Sequence, residues 1–324
     1  MLRDRRVLVT GGAGFIGSNL VESLLFSGNY VTCLDNFSTG KRENLETVIS
    51  NPKFKLIEGD IRNYNDCLNA VRGNDIVYHQ AALGSIPRSI QDPMTTTDVN
   101  IGGFVKMIFA AKECGVNRFI YAASSSTYGD HTDLPKVENK IGSPLSPYAI
   151  TKYVDELFAS NFAKIYGIEV IGLRYFNVFG RRQDPDGAYA AVIPRFIKML
   201  MKYEAPLING NGSSSRDFTY IDNVIQANHL AGIITDKRAY NQVFNIAHGE
   251  RTNINQLFGV IQRIAGNYDS EIFKIRPDYG PEREGDITHS QASIEKAKQF
   301  LGYTPTYNVV EGLEETVKWF YNNL

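Results

Sequence analysis

Arg6-Val-Leu-Val-Thr-Gly-Gly-Ala-Gly-Phe-Ile-Gly17 is the stretch on which the reading of this 324-residue chain turns. Residues 6–10 form an apolar run of strand length, glycines crowd the next seven positions, and residues 18–27 have the amphipathic spacing of a helix. Strand, glycine turn and helix, in that order, is the context of a dinucleotide fingerprint. Its glycines permit a tight turn, close approach of backbone to a pyrophosphate, and packing of helix on strand. The helix N-terminus adds unpaired N–H groups and a partial positive charge. Two registers fit: Gly12, Gly14 and Gly17 give G-x-G-x-x-G, whereas Gly11, Gly14 and Gly17 give the wider G-x-x-G-x-x-G. The pattern leaves both open, with Phe15 and Ile16 in the cradle either way.

The segments that follow extend this unit. A second strand, residues 30–34, ends in Asp35, the expected distance for a carboxylate accepting from the adenosine ribose hydroxyls. Such a carboxylate would repel a 2′-phosphate, so the expected cofactor is NAD, not NADP. Asn36-Phe-Ser-Thr-Gly40 is polar and suited to wrapping the adenosine end, with Asn36, Ser38 and Gly40 as candidate contacts. Residues 55–58 read as a third strand leading into Gly59-Asp60-Ile61, where Asp60 either accepts from the adenine amino group or only ends the strand. A fourth strand, residues 75–79, leads into Gln80-Ala-Ala-Leu-Gly-Ser-Ile-Pro-Arg-Ser89, whose small residues let the backbone at Gln80 and Ala81 approach a cofactor. A helix over residues 99–114 and a fifth strand over 118–122 complete an alternation that predicts a parallel, doubly wound sheet.

Ligands of such sheets bind at the carboxyl ends of the strands. The fifth strand ends in Ser124-Ser-Ser-Thr-Tyr-Gly129. Beyond Pro147, residues 148–166 read as a long helix in which Tyr148 and Lys152, one turn apart, share a face. A neighbouring cation favours phenolate and makes the tyrosine a candidate base. With 18 Tyr in the chain a Tyr-x-x-x-Lys also arises by chance, so its weight comes from its surroundings. A strand at 170–174 runs into Tyr175-Phe-Asn-Val-Phe-Gly180, and there the pattern changes. A polar connection at 181–186, a helix over 190–201, a loop at 209–217 with the lone cation Arg216, and a last helix ending near Trp319 read as a smaller cap. The expected division is residues 1–178 plus about 219–247 against about 179–218 plus 248–324.

Composition narrows the function class. A net charge of −1 gives no reason to expect a nucleic-acid partner. Three cysteines in apolar surroundings read as buried thiols, and five scattered histidines lack metal-ligand spacing, so no metal is expected. The opening Met-Leu-Arg-Asp-Arg-Arg superficially resembles a signal peptide, but Gly11 and Gly12 interrupt the apolar run and no cleavage pattern follows. No run is long enough to span a membrane, and a cytoplasmic protein is expected.

Taken together, Thr10-Gly-Gly-Ala-Gly-Phe-Ile-Gly17, Asp35, Asp60-Ile61, the Ser124 triplet and Tyr148-x-x-x-Lys152 resemble the extended short-chain dehydrogenase/reductases over essentially the whole chain. Ala82-Leu-Gly-Ser-Ile-Pro-Arg-Ser-Ile90, Arg174-Tyr-Phe-Asn-Val-Phe-Gly180 and Pro281-Glu-Arg-Glu-Gly-Asp286 narrow the resemblance to UDP-N-acetylglucosamine 4-epimerases of surface-polysaccharide pathways. It implies a Rossmann-like sheet with a smaller mixed α/β substrate domain. It also implies a tightly held NAD, contacted in part by Tyr175, that is reduced and reoxidised within each turnover.

In that scheme Tyr148 takes the proton of the sugar 4-hydroxyl, Lys152 holds the nicotinamide ribose and stabilises the phenolate, and Ser124 hydrogen-bonds the reacting oxygen. A 4-keto sugar turns over in the pocket and takes hydride back on its other face. Asn177, Arg216 and Arg283 are the implied diphosphate ligands, with Gly84, Ser85, Ser126, Asn209 and Ser290 also around the substrate. Ser290 falls where a bulky aromatic is common in epimerases restricted to UDP-glucose, and Ser85 would face a 2-N-acetyl group. Gly84 replaces a lysine of the glucose-type enzymes. A 4,6-dehydratase would need Asp-Glu where Ser125 and Ser126 stand, and Asp35 disfavours an NADP-dependent reductase. A catalytically dead regulator would be expected to lack Tyr148 or Lys152. A UDP-uronate substrate stays open, with Arg88 as the candidate cation. The resemblance further implies a homodimer through a four-helix bundle of helices 99–114 and 148–166, to which Ile108, Leu157 and Phe158 would contribute if not used in the core.

Overall fold

In the computed structural model, which describes residues 1–187, 190–282 and 288–324, seven strands form one parallel sheet. In chain order its first part is β1 (Arg6–Thr10), α1 (Phe15–Phe26), β2 (Tyr30–Asp35), β3 (Phe54–Glu58), α2 (Tyr64–Val71) and β4 (Ile76–His79). Then come α3 (Gly103–Glu113), β5 (Arg118–Ser124), α4 (Pro147–Tyr166) and β6 (Glu169–Tyr175), and β7 (Gln242–Ile246) closes the set. The spatial order is β7-β6-β5-β4-β1-β2-β3, so the winding reverses between β1 and β4. That is where a doubly wound sheet opens its crevice. β1 pairs with β2 from Arg6 to Thr10 and with β4 from Val7, which brings the glycine turn, Asp35 and Gln80 to one edge. The predicted doubly wound α/β fold is the observed one.

Both faces are covered, and this explains why the strands read as nearly continuous apolar runs. On one face α1 packs against α6 (Ile221–Ile233); on the other α2, α3 and α4 lie side by side. Ile108 is wholly buried in that second layer, so it belongs to the core and is not available to a partner chain. Phe158 packs against the same core, whereas Leu157 is half exposed.

The predicted helix over 99–114 begins earlier. A short helix, Pro93–Thr97, runs through a π-helical turn, Asp98–Gly102, into α3. Asp92 caps it through Thr95 N, with Pro93 at the first turn, a start signal present in the sequence. A further helix, Ile86–Gln91, capped by Ser85, occupies part of the segment that follows β4.

α4 is fixed at both ends. The Ser146 side chain accepts from Ala149 N, Pro147 fills the first turn, and Gly167 leaves the helix at φ 72°. Midway, Arg174 of β6 makes a bidentate ion pair with Glu156 at 2.8 and 2.7 Å, almost fully buried. Removing one partner of such a pair costs about 3–5 kcal/mol, so the helix that carries Tyr148 is anchored to the sheet beneath it.

The remaining segments form the smaller layer at the carboxyl edge of the sheet. It contains α5 (Val192–Met201), α7 (Ile254–Gly266) and three two-stranded pieces. One pairs Leu207–Asn209 with Asp278–Gly280, and another pairs Ser215–Arg216 with Thr252–Asn253. The last helix runs from Val309 to Asn323, one turn past the expected end. No helix among the described residues is long and apolar enough to cross a membrane.

Candidate active site

A cleft of about 1000 Å³ lies between the strand ends and the smaller layer. Its floor starts at the glycine turn. Gly11, Gly14, Phe15, Ile16 and Gly17 line it, whereas Gly12 faces away, where a Cβ would lie 2.4 Å from Cys33 Sγ. Gly11 sits at φ 66°, and a Cβ on Gly17 would lie 2.0 Å from Gly11 O. A Cβ on Gly14 would meet only Gly11 O, at 3.2 Å. The wide register is therefore the one whose glycines face the cleft. α1 begins at Phe15, three residues before the expected start, and Gly14 caps it without any side-chain bond. Its first N–H groups have no intrahelical partner, and the cleft is where an anion would meet them.

Asp35, at the end of β2, is held by two backbone donors, Ala13 N to Oδ2 and Phe37 N to Oδ1, each at 2.8 Å. Burial pushes its carboxyl up from the ordinary range, and the two N–H groups pull it back. Each oxygen keeps a lone pair for a hydroxyl donor. Asn36, Ser38, Asp60 and Ile61 also line the cleft. Asp60 is drawn to about 2, first by the Arg62 side chain, with Asn36 Nδ2 donating to it at 2.9 Å. Gly40 packs against Ala13 and Asp35 of this wall, where a Cβ would lie 2.9 and 3.0 Å from them, and Thr39 beside it lines the cleft.

Gln80 and Ala81 continue the lining after β4. Thr10 Oγ1 accepts from Ala81 N at 3.2 Å and shares a hydrogen bond with His79 Nδ1 at 2.9 Å. The Tyr175 hydroxyl lies 3.2 Å from Gln80 Oε1 and accepts from Asn228 Nδ2 at 3.0 Å. Burial pushes this phenol up to about 12, so it remains protonated near neutral pH.

Tyr148, Lys152 and Ser124 line the cleft at the carboxyl end of β5 and the start of α4. The Lys152 ammonium, 3% exposed, donates to Ala122 O at 3.0 Å and to Asp155 Oδ2 at 3.2 Å. Ser124 accepts from Ser126 N at 3.2 Å and from the Ser126 hydroxyl at 2.9 Å, which leaves its own proton to donate into the cleft. No described side chain hydrogen-bonds the Tyr148 hydroxyl, which lines the same space. Asn100, in the π-helical turn, was not foreseen. It accepts from Leu83 N at 2.8 Å and donates to Thr151 Oγ1 at 3.0 Å, tying the 83–85 loop to α4 between Tyr148 and Lys152. Its only sequence signal was the capped start of the helix run before it.

The smaller layer supplies Asn177, Asn209, Arg216 and Ser290, all in the cleft wall with Gly84, Ser85 and Ser126. Gly84 has open space where a Cβ would go. The Ser85 hydroxyl accepts from Arg88 N at 3.2 Å as a helix cap. Asn177, at φ 36°, donates to Asp217 O at 2.9 Å. Arg216 is braced by Ser215 O and Thr288 O. Arg283 lies outside the described residues. Arg195 is a further cation in the wall that the sequence reading missed; its helical spacing gave no signal. Arg88 does not line the cleft, although Ile86 and Pro87 beside it do.

Asp217 holds this wall together. It is fully buried, and Oδ1 accepts from His248 N at 3.0 Å while Oδ2 accepts from Gly249 N and Ala292 N at 3.1 Å. One carboxylate thus joins the Arg216 strand, the loop after β7 and the segment that carries Ser290. Among the described residues no cluster of side chains offers a metal site.

Known proteins resemble this chain in sequence and in fold. Residues 7–247 match the model of the NAD dependent epimerase/dehydratase family. A putative UDP-glucose 4-epimerase of Methanocaldococcus jannaschii is 36% identical over 98% of this chain and 99% of its own length. The structure of a UDP-N-acetylglucosamine 4-epimerase from Methanobrevibacter ruminantium M1, in complex with UDP-N-acetylmuramic acid, superposes with a TM-score of 0.92 at 38% identity, covering 100% of both chains. The UDP-glucose 4-epimerase of Thermotoga maritima, solved with UDP-glucose, gives 0.90 at 37% identity over 98% of this chain and 99% of its own.

Proposed function

This chain belongs to the NAD dependent epimerase/dehydratase family, and we propose that within it the protein is a UDP-sugar 4-epimerase that interconverts UDP-N-acetylglucosamine and UDP-N-acetylgalactosamine. The observation that carries the reading is the convergence of Tyr148, Lys152 and Ser124 on a cleft whose sugar side is lined by two small residues, Gly84 and Ser290. The residues around the glycine turn fit NAD: uncapped helix N–H groups for the pyrophosphate and a buried Asp35 for the ribose hydroxyls. Bound NAD supplies a hydride acceptor that gives the hydride back.

Tyr148 then removes the proton from the sugar 4-hydroxyl and returns it after the 4-keto sugar has turned. Lys152 stabilises the phenolate, and Ser124 donates to the reacting oxygen. Arg216, Asn177 and Asn209 hold the diphosphate and uridine while the sugar rotates, since only an anchored nucleotide lets both faces reach one hydride site. A 4,6-dehydratase would need an acid and a base where Ser125 and Ser126 stand, and neither hydroxyl serves near neutral pH.

A UDP-uronate substrate is the second reading, and Arg195 in the cleft wall is the observation that favours it. Purified protein incubated with UDP-N-acetylglucosamine, without added NAD, is expected to yield UDP-N-acetylgalactosamine at a steady ratio on chromatography. Conversion of UDP-glucuronate alone would reverse the order of the two readings. The exposed apolar residues Ile150, Leu157 and Ile165 along α4 support a homodimer, so the same preparation is expected to elute at twice the chain mass.

A further inference from the structure

Beneath the proposed catalytic pair lies a carboxylate that the reaction leaves without a role. Asp155 is 0% exposed, and its Oδ2 stands 3.2 Å from Lys152 Nζ. Its Oδ1 has no hydrogen-bond partner among the described residues. A buried carboxylate with one oxygen unsatisfied is costly, and an apolar or amide side chain would fill the same volume more cheaply. Packing alone therefore does not account for an acid here.

The surrounding charges define what this acid sees. On its own helix these are Lys152 and Glu156, the latter taken up by Arg174 of β6. From β5 comes Tyr121, a buried phenol pushed far up by that burial. From β4, His79 faces the ammonium and is held neutral by burial, with Lys152 adding to the effect. Glu156 and Arg174 cancel, which leaves Lys152 and Asp155 as the charge balance behind Tyr148.

We propose that Asp155 is a positioning residue for the reaction: it is the internal counterion of Lys152, holding the ammonium against Ala122 O and setting how much positive field reaches the Tyr148 phenol. The inference rests on the reading of Tyr148 as the base. A bare ammonium one turn away favours phenolate, whereas an ammonium closed against a carboxylate acts as a dipole whose field falls off faster. Burial pushes the Asp155 carboxyl up to about 7 against the pull of Lys152, so its charge changes in the pH range where the base must work. The Asp155 charge thus changes the field that Lys152 presents to the phenol over that range.

The test is a pH titration of phenolate absorbance in the NAD-loaded protein, taken as the difference from Tyr148→Phe. Asp155→Asn keeps the shape and removes the charge. It is expected to sharpen the transition and lower its midpoint by about one pH unit, with the acid limb of kcat/KM moving the same way. In a Lys152→Met background the same substitution is expected to leave the midpoint where it was. An unchanged midpoint in Asp155→Asn, or a shift that persists without Lys152, overturns the proposal. If Asp155→Asn does not accumulate as folded protein, Asp155→Ser carries the same comparison. Full turnover by Tyr148→Phe would instead sink the assignment of the base, so the two failures are distinguishable.

Discussion

The side of the cleft proposed for the cofactor is made from the ends of β1, β2, β4 and β5, whereas the side proposed for the sugar is assembled from residues 83–85, 195, 207–209, 214, 216 and 290. On the first side each contact follows directly from a strand, so a five- or six-residue apolar run announces where the next contact will fall. On the second, neighbours in space are distant in sequence, and what unites them is a buried acid, Asp217, that accepts from two further segments, one at His248 and Gly249 and one at Ala292. Sheet register determines one side and side-chain bonds to loops determine the other. The first should therefore tolerate loss of a functional side chain without losing its shape. The second should lose shape when one structural side chain goes.

Tyr148→Phe probes the first half of that contrast and carries the largest expected effect. Removal of the proposed base is expected to lower turnover roughly a hundred- to ten-thousand-fold. NAD and UDP-sugar should stay bound, because the glycine turn, Asp35 and the capped start of α4 are untouched. Single-turnover kinetics and cofactor released on denaturation measure the two quantities separately. Loss of NAD together with activity would mean that the sides are not independent.

Asp217→Asn probes the other half. The amide turns an N–H₂ toward at least one backbone donor, which costs about 1–3 kcal/mol. KM is expected to rise several-fold while kcat changes little, since Ser290 and Arg216 shift but Tyr148 does not. Stability should also change its pH dependence. Burial pushes the Asp217 carboxyl up to about 7, above its ordinary value of 3.8, in spite of its backbone donors. The folded state therefore holds that proton more tightly than the unfolded one. Its contribution is fully present below about pH 4 and is lost as the pH rises through 7. Melting curves between pH 5 and 8 should lose that share of their slope in the variant. An unchanged slope would show that Asp217 is ionised throughout.

The same contrast explains how much could be read from the chain. The seven-residue glycine stretch, Asp35 and the Tyr148–Lys152 helix were legible because each rests on spacing along one element. The glycine register was not, because both choices obey the pattern, and only the contact of Gly12 with Cys33 separates them. Gly40 illustrates a related point: a polar loop shows that it wraps something, but not which residues face inward. Arg195 and Asn100 sit on helices whose periodicity describes the core face, and Asp155 and Asp217 are buried acids, which composition alone assigns to the surface. For Arg216, Ser290 and Gly84 local pattern gave little, and resemblance supplied the candidates.

Ser290→Tyr is confined to one side chain and is the sharpest probe of substrate class. Ser290 N donates to Ser215 O at 3.0 Å, so its backbone is pinned beside Arg216 and a new ring has to extend from that fixed point. Ser290 and Gly84 both line the cleft, and Gly84 has open space beyond its Cα. If that space takes the 2-N-acetyl group, the ring should cut kcat/KM for UDP-N-acetylglucosamine by about ten- to a hundredfold, the range set by steric exclusion in a pocket. UDP-glucose should lose no more than about threefold, well under 1 kcal/mol of transition-state binding. Equal loss on both substrates would mean that the ring distorts the Asp217-bound segment instead of filling a pocket. The sugar side would then be rigid enough to transmit damage but not built to select, and the N-acetyl assignment would have to rest on other residues.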